Sequence, residues 1–238
     1  MYKTIILVCL CLIMGCKDVD ADRRTAPERA IETVVIVNSS SGIAVYCGKE
    51  TTLILTAAHV SSESDQVMML SVEYEKDIGR ISAYGVYPAI KTWVFPPYDL
   101  ALIEINTPSE HLECAKVSTK NMRLGEDIYL ASNPSYNYRS IRKGVISSKV
   151  RTVNKISVWE VTGGSMYGSS GGGAFTTDGE LFGISSMVDH YNTGHCRPGA
   201  PKDCVVVPIP FLGWYIPPHH IKEFLLDSPY AEHFKYLQ

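Results

Sequence analysis

The sequence predicts an all-β domain, a sandwich or a barrel, with one short helix near its C-terminal end. Three observations carry this. Short runs rich in β-branched and aromatic residues recur along the chain, separated by Ser-Gly and Gly-Lys turns. Of 238 residues, 45% are hydrophobic and 20% charged, which fits an ordinary folded core with no excess of disorder-forming residues. Heptads, repeats and low-complexity tracts are absent from the pattern, and only Pro218–Leu226 spaces its apolar residues as a helix would.

The predicted strands run in order. Thr33–Val37, Ile43–Cys47 and Thr52–Thr56 come first, then Val67–Tyr74, Arg80–Val94 and Leu100–Ile105. A Pro-bearing connection, Thr107–Lys120, divides the chain into halves. The second half offers Asp127–Ala131, Ser140–Arg151, Ser157–Val161, Gly173–Thr176, Leu181–Met187 and Val205–Pro208. The helix follows a proline and sets Ile221, Phe224 and Leu225 on one face for packing.

Chemistry concentrates in three segments. Gly168-Ser169-Ser170-Gly171-Gly172-Gly173 presents a serine among glycines. Glycines reach backbone angles that other residues resist and leave room for a substrate. The amides of Gly168 and Ser170 then face one spot where an oxyanion would develop. Taken alone, such a run also reads as linker. Leu53–Val60 is a strand-like run ending in Ala57-Ala58-His59, either a core-strand histidine or a general base titrating near neutrality. Tyr98–Ile105 opens with Asp99, either a turn carboxylate or the partner that fixes a histidine tautomer. The order His, Asp, Ser favours the functional reading of all three.

These segments resemble the chymotrypsin-like (trypsin-like) serine peptidases, on Thr56-Ala57-Ala58-His59, Asp99-Leu100-Ala101-Leu102 and Gly168-Ser169-Ser170-Gly171-Gly172. The likeness is nearest to the bacterial branch with the high-temperature-requirement (Deg-type) proteases, on Gly125–Pro134, Lys143–Ser147, Asp178–Ile184 and Trp214–Pro217, and covers roughly residues 31–227. It implies two six-stranded antiparallel β-barrels, about 31–106 and 120–217, with the site between them and the helix at 218–227. Residues 228–238 are expected to be a tail, and nothing after the helix resembles a PDZ segment. The resemblance makes His59 the base, Asp99 its orienting carboxylate, Ser170 the nucleophile and the Gly168 and Ser170 amides the oxyanion donors. No cofactor or metal is expected, and the substrate is a protein or peptide. Ser169 stands where the digestive enzymes carry aspartate, so activation by a freed N-terminus is not expected. Gly173 replaces the usual proline.

The resemblance also locates a specificity pocket. Its floor includes Gly164, six residues before the nucleophile, and Ser185 and Ser186 line a wall with Met187. Gly164 argues against basic side chains, and Ser185 takes the place of a histidine that glutamyl endopeptidases use. A small or medium apolar side chain is the default. Asp189 and His190 lie beyond, as solvated loop residues or as a polar requirement.

Residues 1–16 read as a signal peptide. Lys3 is followed by an apolar run, Thr4–Met14, too short to span a membrane, and Ile13-Met14-Gly15-Cys16 resembles a lipoprotein lipobox, with Cys16 as the lipidated residue. The alternative is an ordinary secretory signal. Residues 17–30 read as a polar tether. Cys9, Cys11 and Cys16 belong to the signal; Cys47, Cys114, Cys196 and Cys204 remain for two disulfides in an exported, periplasmic or cell-surface protein. Cys196 and Cys204 flank a turn-rich loop and are the favoured pair. Cys47 and Cys114 remain open, and a metal site from His190, His195, Cys196 and Cys204 matches no common zinc spacing. A net charge of −3 argues against nucleic acid or anionic membranes as partners. Two rival readings stand beside the endopeptidase: a catalytically silent module that binds a protein partner, and an esterase using the same triad.

Overall fold

The computed structural model describes residues 24–61, 66–75, 78–108, 112–134, 139–153, 155–197 and 200–238. For residues 69–75, 78–84, 150–151, 153, 188–197, 200–208 and 210 the description is of the backbone alone. The signal segment with Cys16, and the tether up to residue 23, lie outside the described residues.

Helix α1 (Ala26–Glu32) opens the described chain. Thr25 caps it: its hydroxyl accepts from the Glu28 amide, and the Glu28 carboxylate accepts from the Thr25 amide. The tether expectation therefore fails from Thr25 onward, because a capping box and Pro27 start a helix there. Arg24 ties this end to the body through ion pairs with Glu32 and Glu113, the latter at 2.8 Å.

The first half forms one seven-stranded sheet from β1 (Val34–Val37), β2 (Ser40–Cys47), β3 (Thr51–Ala57), β4 (Gln66–Glu75), β5 (Ile78–Pro88), β6 (Lys91–Phe95) and β7 (Leu100–Asn106). Its order is β5-β4-β1-β2-β3-β7-β6. Six strands were expected here. The seventh arises because Arg80–Val94 splits at Pro88-Ala89-Ile90, where proline has no N–H to continue the ladder. The β1–β2 hairpin turns on Asn38 and Ser39, both left-handed at φ 47° and 68°, so Ser40, Ser41 and Gly42 lie within β2 and not in a turn.

The second half is a closed six-stranded barrel, as expected, in the order β10-β13-β12-β11-β8-β9. Its strands are β8 (Asp127–Ser132), β9 (Ser140–Val153), β10 (Ile156–Thr162), β11 (Gly173–Phe175), β12 (Leu181–Arg197) and β13 (Ala200–Ile216). β12 and β13 pair far beyond the expected Met187 and Val205, as a long two-stranded ribbon. Cys196 faces Cys204 in that register, while both side chains lie outside the described residues.

Helix α2 (Pro218–Asp227) buries Ile221, Phe224 and Leu225, as the spacing predicts. The segment expected as a tail instead docks as a 3₁₀ turn, Ala231–Leu237, because Phe234 and Leu237 are apolar and 1% exposed. One continuous core joins Leu53, Leu55, Leu100 and Leu102 of the first half to Ala131, Phe175, Leu181 and Ile216 of the second, and to this C-terminal segment. Smaller clusters fill the barrel around Phe182 and Tyr215 and back the first sheet around Ile54 and Ile103.

A disulfide joins Cys47, at the end of β2, to Cys114 in the connection between halves, with Cα atoms 5.9 Å apart. It closes a separation of 67 residues. A loop of that length loses about 4 kcal/mol of chain entropy in the unfolded state. Cys114→Ser is therefore expected to lower unfolding free energy by about 2–4 kcal/mol, read as a shifted urea midpoint against wild type.

Candidate active site

Strand register brings His59 and Asp99 together. β3 and β7 run antiparallel with Ala57 opposite Leu100, so the residues just past those ends become neighbours. His59 sits in the 3₁₀ turn Ala58–Val60 that follows β3. Asp99 closes the turn Pro96–Tyr98, in the left-handed conformation at φ 53°, ψ 43°. The small Ala58 lets the backbones touch, its amide donating to the Asp99 carbonyl at 2.9 Å. The His59 ring Nδ1 lies 2.9 Å from Asp99 Oδ2, and the His59 amide donates to Oδ1 at 3.0 Å. Only one edge of the imidazole is thus engaged; its side chain is 49% exposed, against 13% for Asp99.

Ser170 enters from the second half. Met166–Ser169 forms a turn closed by the Ser169 amide on the Met166 carbonyl at 2.9 Å, with Gly168 at φ 86° in its third place. That angle is the type II requirement which glycine meets without strain. Among the described residues the amides of Gly168 and Ser170 find no acceptor within the chain. The Ser170 hydroxyl donates to the Ser186 carbonyl at 3.2 Å, not to His59. Ser186 in turn donates through its own hydroxyl to Asp99 Oδ2. One residue therefore touches both the serine and the carboxylate.

β2 holds the nucleophile segment from below. The Ser41 amide donates to the Ser170 carbonyl at 2.9 Å, and the Ser41 hydroxyl to the Gly168 carbonyl at 2.7 Å. Ser40 adds a hydroxyl bond to the Ser170 carbonyl at 2.9 Å. Thr56, three residues before His59, donates to the Ser41 carbonyl at 2.7 Å. These bonds fix the Gly168 and Ser170 carbonyls against β2. Sequence reasoning missed Ser40, Ser41 and Thr56. The available signal was a pair of serines opening an otherwise apolar strand, where burial without partners would be unfavourable.

The pocket residues fall differently from expectation. Gly164 is buried, at φ 88°. Ser185 is fully buried, and its hydroxyl meets those of Tyr215 and Ser165, the latter at 3.4 Å, so it does not face an open wall. The Ser186 hydroxyl turns to Asp99 because that carboxylate is the nearest charged acceptor. Gly213 is the position that sequence reasoning passed over: an added Cβ would come within 2.9 Å of the Ser165 Cβ and 3.0 Å of the Tyr215 ring. The side chains of Asp189 and His190 lie outside the described ones. No group of His, Cys, Asp and Glu able to hold a metal occurs among the described residues.

The hydrogen bond to Asp99 raises the His59 imidazole above its ordinary value of 6.5; partial burial opposes this and the Asp99 charge reinforces it. A raised histidine contributes stability that is complete below the unfolded value and fades as pH rises through the folded one. Asp99→Asn is therefore expected to lower the urea midpoint more at acid pH, where the imidazole is charged, than at alkaline pH. A midpoint difference that does not change with pH would contradict this.

The chain belongs to the trypsin-like peptidase domain family, whose model matches residues 40–184. Among solved structures, the crystal structure of the serine endoprotease from Yersinia pestis is similar, with 21% identity and a TM-score of 0.57. The match covers 87% of this chain and 66% of that one, and at this identity it speaks for the fold. No curated protein matches the chain.

Proposed function

We propose that this chain is a serine endopeptidase in which Ser170, His59 and Asp99 form the triad. The carrying observation is the convergence at Ser186, whose carbonyl accepts from Ser170 while its hydroxyl and the His59 ring share the Asp99 carboxylate. His59 Nε2 takes the Ser170 proton as Oγ bonds to the peptide carbonyl carbon. Asp99 fixes the tautomer and stabilises the imidazolium. The Gly168 and Ser170 amides receive the oxyanion; one such donor is worth about two to three powers of ten in rate. His59 then protonates the leaving amine as the C–N bond breaks, and water, deprotonated by the same base, releases the acyl group. The Ser170–His59 bond absent here is one that commonly tightens only with substrate bound.

A fluorophosphonate probe tests the reading: covalent labelling mapped to Ser170 is the expected result. A chain that stays unlabelled at full folding is a binding module instead. Because His59 must be neutral to act, kcat/KM is expected to rise with pH through a midpoint above 6.5. A midpoint at or below the ordinary histidine value would contradict the Asp99 role.

Export completes the proposal. The Cys47–Cys114 disulfide fits an oxidising compartment. Lipid on Cys16 and a second bridge between Cys196 and Cys204 belong to the same reading, the opposed backbone positions of the latter pair supporting it. Intact-mass and peptide mapping of the protein from a bacterial envelope test both.

A further inference from the structure

We propose that Tyr98, His220 and Glu223 form a clamp through which helix α2 positions the Asp99 carboxylate, making them positioning residues of the catalytic centre. The inference rests on the peptidase reading above and extends it to a helix outside the crevice.

Tyr98 immediately precedes Asp99, so the plane of one residue sets the direction of the next. Asp99 occupies the left-handed region at φ 53°, which aspartate enters more readily than most residues, and here its neighbours hold it there. On one side the imposing contacts are already clear: the Asp99 amide on Pro96 and its carbonyl under Ala58. On the other side stands the Tyr98 ring, held at three points. His220 stacks on it with centroids 4.0 Å apart and planes at 25°. Phe95 meets its edge at 5.0 Å and 63°. Its hydroxyl donates to Glu223 Oε2 at 2.7 Å.

Two of those three points belong to α2, where His220 and Glu223 are three residues apart and so share a face. The helix is itself anchored on the same loop-bearing strand, since Phe224 stacks on Trp93 at 4.3 Å. The geometry leaves His220 an unusual role. Its Nδ1 is buried without a hydrogen-bond partner and 3.9 Å from Glu223 Oε2. Its face, not its polar atom, is what the structure uses. Glu223 carries the polar link, to the tyrosine alone of the two rings at hydrogen-bonding distance. A stack plus a charge-assisted bond fixes both the tilt and the rotation of Tyr98, which a stack alone does not.

The test compares Tyr98→Ala, Tyr98→Phe, Glu223→Gln and wild type. Rates are expressed per site titrated with the fluorophosphonate, and the His59 ring is titrated by NMR. Tyr98→Ala is expected to lower kcat roughly ten- to a hundredfold with KM little changed. It also moves the His59 titration downward, because the Asp99 bond that raises it is weakened. Tyr98→Phe keeps the stack and gives an intermediate loss. Glu223→Gln still offers an oxygen to the tyrosine but removes its charge, and gives a loss no larger than that of Tyr98→Phe. If Tyr98→Ala lowers only thermal stability, with kcat per titrated site and the His59 titration unmoved, the residue is structural and the clamp is wrong. A wild-type chain inert to the probe refutes the peptidase reading separately, while a His59 titration that still shifts in Tyr98→Ala upholds the clamp.

Discussion

Ser170→Ala is expected to abolish peptide hydrolysis, by about four to six powers of ten in kcat, while the protein folds as before. The two halves of that statement have separate grounds. Among the described residues the side-chain bond lost is the one to the Ser186 carbonyl at 3.2 Å. The bonds that shape the segment run to the Ser170 carbonyl, from Ser40 and Ser41, and an alanine keeps them. The change in stability should therefore stay near the roughly 1 kcal/mol of a single neutral hydrogen bond. Circular dichroism, urea unfolding and turnover of a fluorogenic peptide library together decide it. Turnover at wild-type rate in a folded Ser170→Ala protein would end the assignment of the nucleophile.

Gly171→Ala should do the opposite, damaging fold and site together. Gly171 has φ +81°, and its amide donates to the Ser185 carbonyl at 2.7 Å. A Cβ there would overlap the Ser41 carbonyl and the Thr56 hydroxyl. Left-handed backbone costs alanine about 1–2 kcal/mol. Prising Thr56 from Ser41 leaves buried polar atoms unpaired, at about 1–3 kcal/mol more. A total of about 2–5 kcal/mol is expected, with activity falling at least a hundredfold because Ser170 is pushed along the chain. Gly125→Ala supplies the control. It shares the backbone strain, at φ +77°, but an added Cβ there meets nothing within 4 Å. If both variants lose equal stability, the collision with Ser41 and Thr56 contributes nothing.

What the sequence disclosed, and what it hid, divides along the range of each interaction. The segments bearing His59, Asp99 and Ser170 were singled out because each is short and its local composition is itself the signal. Helix α2 was legible for the same reason, through Pro218 and the spacing of Ile221, Phe224 and Leu225. The supports were not. Ser41 meets Gly168 across 127 positions and Tyr98 meets Glu223 across 125, and no local pattern names a partner that far away. The resemblance placed Ser186 on a pocket wall; its bonds to Asp99 and Ser170 depend on partners distant in the chain. The β12–β13 ribbon was cut short at Met187 and Val205, with the stretch between Cys196 and Cys204 read as a turn-rich loop, although the strands pair on as far as Cys196 and Cys204. Cys47 and Cys114 show the limit from the other side: the count of cysteines allowed a bridge, and only the fold selected it.

The C-terminal segment packs against Trp93 and Tyr46, residues that leave the ribosome more than a hundred positions earlier. Vectorial synthesis therefore delivers the first sheet unfinished, its aromatic flank bare until Phe224 and His233 arrive. On the reading proposed above, a prematurely terminated polypeptide would carry Ser170 yet lack the helix that holds Tyr98, so the site would be completed last.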